Sequence, residues 1–285
     1  MQDWADWVGR EQVQTDRLNE GLAARWLATF DLNAAENALL PQGIHVCLCA
    51  PEAATATLGE DGHPVRDDSA DSFLPPVPLP RRMWASSDIT FHAAIASGAT
   101  IARTSRVASI TPKSGRSGDM VFVNVDHETR ADGELAVGET QTLVYREAAA
   151  PDAPLSPPET GEASFDPSGW ETVRTLTPDT RLLLRYSALT FNTHRIHYDA
   201  PYASDVERYR GLVVHGPLTA SLLLQLAAVE LGDNRLHRFT FRGVSPAIAG
   251  EPLHLAMRRD GEAYELAAFA SDGRQVMKAG GSTSA

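Results

Sequence analysis

Residues 217–231 read PLTASLLLQLAAVEL. Wound at 3.6 residues per turn, this segment shows apolar side chains on nearly every face, with only Gln225 and Glu230 strongly polar. A helix apolar all round cannot lie on a surface and has to be wrapped by other structure. Pro217 suits the first helical position, and Gly232 suits the position just past the end. The wider window 211–231 also holds His215, which argues for burial inside protein, not for a membrane span. The question is what wraps this helix.

The answer lies in the strand-like segments. DMVFVNVDHET and ETQTLVYRE before it, and LHLAMRR, YELAAFA and RQVMKAGG after it, alternate or run β-branched. Asp260-Gly261 and Asp272-Gly273 read as hairpin turns between the later ones. Residues 147–169 are rich in Pro, Ala, Ser and Glu without hydrophobic periodicity, and read as a linker. They divide the chain into 1–146 and 170–285, each of ordinary domain size. The halves resemble each other weakly: Thr90-Phe91 and Thr240-Phe241 open strands that pass through small-residue turns at Ser97-Gly98 and Ala249-Gly250. That hints at duplication of one α+β unit. In the first half, TDRLNEGLAARWLATFDL offers a helix with Leu18, Leu22, Trp26 and Phe30 at four-residue steps, matching the apolar helix of the second. TRLLLRYSALT, residues 180–190, reads as another strand. The expected architecture is α+β: a double hot dog, each half a curved antiparallel sheet around a long central helix.

Net charge is −12, which disfavours nucleic acid as a partner, although local arginines can still bind a small anion. The two cysteines, Cys47 and Cys49, would share one face of a strand; they read as free, half-buried thiols suited to a reducing compartment. The N-terminus lacks a basic segment followed by an apolar core, so a cytoplasmic protein without a signal peptide is expected.

The densest run of hydrogen-bonding groups is LTFNTHRIHYDAPYA, residues 189–203. It precedes the apolar helix, in a connection of the kind that carries function. His197 is the candidate base, since imidazole titrates near neutrality. Asn192 cannot take a proton, but its amide can hold a water or a thioester oxygen. His194 is placed to orient a substrate. Gly216 falls at the helix N-terminus, where free N–H groups and partial positive charge would stabilise a developing oxyanion, and His215 stands beside it. Without more context, polar groups that merely pin a loop explain the run equally well. His194 and His197 alone lack a third ligand at metal spacing, and no metal or cofactor is expected. GxSxG, GxxxxGK[ST] and GxGxxG motifs do not occur. KSGRSGDM reads as a hairpin turn. In LPRRMWASS, Arg82 and Trp84 could flank a nucleotide or simply begin a strand.

FNTHRIHYDAPYA together with GLVVHGPLTASLL, LPRRMWASSDITFHA and KSGRSGDMVFVNVDHE resembles the MaoC-like enoyl-CoA hydratases. It is most similar to their double hot-dog branch, which hydrates mesaconyl-CoA (3-methylfumaryl-CoA) and itaconyl-CoA. The resemblance covers most of the chain. The wider family pattern, Asp-x-Asn-Pro-x-His, falls on Asn192 to His197: the closing histidine is kept, Asn192 replaces the aspartate, and His194-Arg195 replaces Asn-Pro. The resemblance implies a hydro-lyase that adds water to a branched C5 dicarboxylyl-CoA, giving citramalyl-CoA, with one active site per chain in the second half. His197 would move the proton. Arg195 and Arg185 are the nearest cations in sequence for a substrate carboxylate. The acyl-CoA thioester would be the partner, with a homodimer allowed. A thioesterase and a non-catalytic acyl-CoA-binding protein are the rival readings.

Overall fold

The computed structural model describes residues 4–34, 38–115 and 118–284. One antiparallel sheet of ten strands organises them. The strands are β1 (Glu11–Arg17), β2 (Arg81–Phe91), β3 (Thr100–Gly115), β4 (Gly118–Ala131), β5 (Glu134–Arg146), β6 (Thr172–Leu176), β7 (Arg238–Gly243), β8 (Leu253–Asp260), β9 (Ala263–Ala270) and β10 (Gln275–Ser282). Their order is β1-β3-β4-β5-β2-β7-β10-β9-β8-β6. The second five strands repeat the order of the first five in mirror sequence. The two sets join where β2 pairs with β7, Asp88 opposite Thr240. The faint likeness between the Thr90-Phe91 and Thr240-Phe241 segments is therefore a likeness between the two seam strands.

The helices are α1 (Glu20–Thr29), α2 (Thr180–Thr190), α3 (Ala200–Asp205) and α4 (Gly216–Leu231). α4 is the apolar segment; every residue from Leu218 to Ala227 is buried. It packs across β8, β9, β10 and the seam strand β2. α1 and α2 are each other's counterparts. Each is capped by a side-chain oxygen, Asn19 Oδ1 accepting from Leu22 N–H and Asp179 Oδ1 from Leu182 N–H, both at 2.9 Å. Ahead of each cap, a glycine donates its N–H to the incoming chain: Gly98 to Leu18 O and Gly250 to Pro178 O, both at 2.7 Å.

Three expectations are corrected here. Residues 180–190 form helix α2, not a strand. The Asp179 cap starts it, and its buried side chains, Leu183, Tyr186, Ser187 and Leu189, follow helical and not alternating spacing. The first-half helix is ten residues long and matches α2, so among the described residues the N-terminal half has no counterpart of the sixteen-residue α4. The cysteines do not lie on a strand. Residues Ile44–Cys47 form a 3-10 turn, and Cys49 adopts a left-handed conformation, φ 52°. Both thiols are free, Cys47 fully buried and Cys49 half-buried.

Residues 147–169 run across the second half of the sheet. Ser156 exchanges backbone hydrogen bonds with Arg208 and Arg210. Arg210 donates to Thr160 and pairs with Glu251, while Phe165 stacks on His254 at 4.5 Å. The KSGRSGDM segment is the β3–β4 hairpin, with Lys113 opposite Met120; residues 116 and 117 lie outside the described residues. No helix among the described residues is long and apolar enough to cross a membrane.

Candidate active site

The seam between the halves opens at one end. β2 continues to Arg81, but its pairing with β7 stops at Ser86 opposite Arg242. A bulge between Trp84 and Ser86 bends β2 away at this point. The gap widens into a cavity of about 1250 Å³. Arg82, Trp84, Asn192, His194, His197, His215 and Gly216 all line it. The sequence-predicted cluster is thus brought together in space.

The backbone puts each of these groups in place. α2 ends at Phe191 in the left-handed region, φ 49°. Asn192 closes the helix by donating its N–H to Ser187 O, and its Oδ1 accepts the His194 N–H, each at 2.9 Å. That is an Asx turn, which any aspartate or asparagine makes well. A 3-10 turn over Arg195–His197 then delivers His197 inward. Its Nδ1 lies 2.7 Å from Val213 O. A carbonyl only accepts, so Nδ1 carries the proton and the lone pair stands on Nε2. The ring stacks on His215 at 3.5 Å and 19°, and His215 Nε2 meets Ser187 Oγ on α2 at 2.9 Å.

Burial sets the charge of this cluster. It lowers His197 to about 4, against which the Val213 bond raises it and the positive field of His63 lowers it further. Burial, with His63 and His197 alongside, lowers His194 to about 2. Burial pushes His215 well below the usual imidazole range, with His197 and His194 adding to it. All three are neutral at pH 7. In the unfolded chain each binds a proton near pH 6.5, so the folded state holds fewer protons below that value. Their stabilisation is complete above about pH 6.5 and is lost on acidification, for His197 down through about 4. The His197 shift alone corresponds to about 3 kcal/mol. We expect the thermal midpoint to fall steadily from pH 7.5 to pH 4.5 in a calorimetric series. A flat profile over that range would contradict neutral burial.

The helix α4 begins at Gly216, so its N–H has no acceptor within the helix. A Cβ built on Gly216 would stand 4.0 Å from Trp84 O, which puts the helix end directly against the seam strand. Trp84 is fixed by Nε1 donating to Ser87 Oγ at 2.8 Å, and Ser87 Oγ donates to buried Glu139 at 2.6 Å.

Arg195 and Arg185 are not brought to the cavity. Arg195 Nε and Nη2 both donate to Asp199 Oδ2, at 3.0 and 2.8 Å, and its guanidinium lies over Tyr202. Arg185 donates to Ala28 O at 3.1 Å. Nearness in sequence misled, because the 3-10 turn sends Arg195 outward as it sends His197 inward. Other cations stand at the cavity instead: Arg82 and Arg242 on the seam strands and Arg146 at the end of β5 line it, and among the described residues their side chains form no hydrogen bond or ion pair.

The sequence reading missed a second contribution, from the N-terminal half. The turn Gly59–Pro64 docks on the Asn192–His197 turn: Arg195 N–H donates to Asp61 O at 2.9 Å, and Thr193 Oγ1 donates to Gly62 O at 2.5 Å. His63 lines the cavity with its ring against His194, 4.2 Å between centres. Its Nδ1 is 3.0 Å from Asp61 Oδ2. The Asp61-Gly62-His63-Pro64 run was the available signal, a carboxylate and an imidazole two residues apart around a glycine. Asp61, His63 and His194 each offer one polar atom within 4.8 Å of the others. The facing atoms of Asp61 and His63 are taken up by each other, and the His63 and His194 rings are tilted at 39° to one another. The arrangement is a hydrogen-bonded pair packed against a third, tilted ring.

Comparison with known proteins places the chain in a family. Residues 43–249 match the hydroxyacyl-thioester dehydratase type 2 family. The chain belongs to that family. It is an enzyme of the hydro-lyase class acting on thioesters. A mesaconyl-C(4)-CoA hydratase of Chloroflexus aurantiacus is 40% identical over 282 residues, 97% of this chain and 96% of that protein. A MaoC-like dehydratase from Phytophthora capsici superposes with a TM-score of 0.69 at 13% identity, covering 97% of this chain and 96% of that one. A Mycobacterium tuberculosis protein described as a double hot-dog fold superposes at 0.55 with 16% identity, covering 96% and 95%. The fold is a double hot dog.

Proposed function

We propose that this chain is an enoyl-CoA hydratase whose substrate is a branched C5 dicarboxylyl-CoA, 3-methylfumaryl-CoA (mesaconyl-C4-CoA), and whose product is citramalyl-CoA. The observation that carries the chemistry is His197: a neutral imidazole, its Nδ1–H tied to Val213, its Nε2 free, in the same cavity as the open N-terminus of α4. The near full-length likeness to the Chloroflexus hydratase supports the choice of substrate.

In this reading the thioester oxygen accepts from Gly216 N–H, and negative charge developing there is stabilised by the helix end. His197 Nε2 takes a proton from water as the oxygen attacks the β-carbon. Asn192 has committed its Oδ1 to the turn, so its Nδ2 is the group left to hold that water. His194 and His215 wall the acyl pocket. Trp84 and Arg82 flank the thioester's CoA arm at the seam, and Arg146 and Arg242 receive its phosphates there. The C-terminal half, 170–285, carries the chemistry, and the N-terminal half, 1–146, completes the groove. A substrate panel tests this reading. With 3-methylfumaryl-CoA, itaconyl-CoA and crotonyl-CoA offered in turn, kcat/KM should be highest for 3-methylfumaryl-CoA. A preference for crotonyl-CoA would remove the dicarboxylate assignment.

A further inference from the structure

Hydration needs two proton movements, one off water and one onto the α-carbon. Where the wider family pattern has an aspartate, this chain has Asn192, which can do neither. His197 has one free nitrogen. His194 and His215 are buried, neutral and held low first by burial, with His63 and His197 adding to it at His194, and His197 and His194 adding to it at His215. Of the two further imidazoles on the cavity wall, His127 meets Ser105 Oγ through its Nδ1 and is pushed down by burial, whereas His63 is differently placed. Its side chain is 23% exposed, and it is backed by a carboxylate. Asp61 sits at about 2: burial raises it, but the bonds and charge of His63 outweigh that, so it is ionised at pH 7. The Asp61 oxygen can only accept, so His63 Nδ1 carries a proton and Nε2 is the exchangeable position. The turn that bears the pair is bolted to the Asn192–His197 turn by the Arg195–Asp61 and Thr193–Gly62 hydrogen bonds, which fixes His63 relative to His197. The other charged groups around the pair are Arg81 with its partner Glu207, and Arg66.

We propose that His63, oriented by Asp61, is the second catalytic group of this site, supplied by the N-terminal half in place of the absent aspartate. The proposal rests on the hydratase reading above. The step balances as follows. The water oxygen bonds to the β-carbon and its proton passes to His197 Nε2. The electron pair of the C=C bond moves to the thioester oxygen, forming an enolate at Gly216. The enolate collapses and its α-carbon takes the proton from His63 Nε2. The proton on His197 returns to His63 through solvent, so one water is added and both imidazoles are restored.

The test compares wild type, His63→Gln and Asp61→Asn on 3-methylfumaryl-CoA across a range of pH. His63→Gln should lower kcat roughly 10²–10⁴-fold with little change in KM. The alkaline limb of its pH–kcat profile, where the acid loses its proton, should disappear. Asp61→Asn, which keeps the size of the side chain, should lower kcat less and displace that limb, and added imidazole should partly restore a His63→Gly variant. A merely structural pair would lower activity without removing a limb. If His63→Gln and Asp61→Asn both retain wild-type kcat and both limbs, the proposal is overturned and the hydratase reading stands. If the wild type hydrates no enoyl-CoA, the reading fails and takes this proposal with it.

Discussion

Replacing His197 with alanine should remove turnover, lowering kcat by roughly 10³-fold or more, while the protein still folds. The ring is the group whose free Nε2 stands in the cavity with its other nitrogen fixed, and its neighbours cannot substitute. His194 is held lower still, at about 2 against about 4 for His197, and is the weaker base, and His215 engages Ser187 through its Nε2. The substitution also deletes the Val213 hydrogen bond and the stack on His215, which together cost about 1–3 kcal/mol of stability. Thermal melting separates the two effects: a variant with a melting point a few degrees lower and no activity fits the account. In the wild type, kcat/KM should fall on the acid side as the base takes up a proton, toward about 4. A His197→Ala enzyme within tenfold of wild type would remove His197 from the mechanism.

The second large effect is expected at a residue with no side chain. Gly62 has φ +87°, and a Cβ there would lie 1.9 Å from Thr193 O and 2.9 Å from Thr193 C. Both atoms are backbone of the Asn192–His197 turn, so no side chain can swing aside. Gly62→Ala therefore has to push the Asp61–His63 turn off the Asn192–His197 turn or unwind the left-handed residue, at a cost of about 2–4 kcal/mol. It should lower both the melting temperature and kcat, because the two turns are held in one geometry by bonds to Asp61 O and Gly62 O. Gly98, also at positive φ but with nothing within 4 Å of its built Cβ, is the control: alanine there meets backbone strain alone. Equal melting points and equal kcat for Gly62→Ala and Gly98→Ala would show that the docking of the turns does not matter.

The periodic parts of the fold were legible because period is local. The apolar run of α4 announced a wrapped helix, and the alternation of β4, β5, β8, β9 and β10 announced the sheet. α2 was misread because three consecutive leucines have no period of their own; the Asp179 cap, three residues before Leu182, was the decisive cue. The repeat was visible only at the seam strands, and the wrong pair of helices was matched because both α1 and α4 are rich in apolar residues. At the site, the segment 189–203 and Gly216 could be read because they sit close together in the chain. His63 could not, since 130 or so positions separate it from His194 and only the docking of the two turns joins them. The arginines failed for the converse reason: Arg195 is next to the site in sequence and turned away from it in space.

The most direct test of the central claim is to follow one reaction by two signals. Purified protein is incubated with 3-methylfumaryl-CoA in ¹⁸O-labelled water, with enoyl-thioester absorbance and free thiol recorded together and the product weighed by mass spectrometry. The account predicts loss of the enoyl absorbance, no free thiol, and an intact CoA thioester carrying one labelled oxygen. Release of thiol with the double bond intact would make the protein a thioesterase and contradict it.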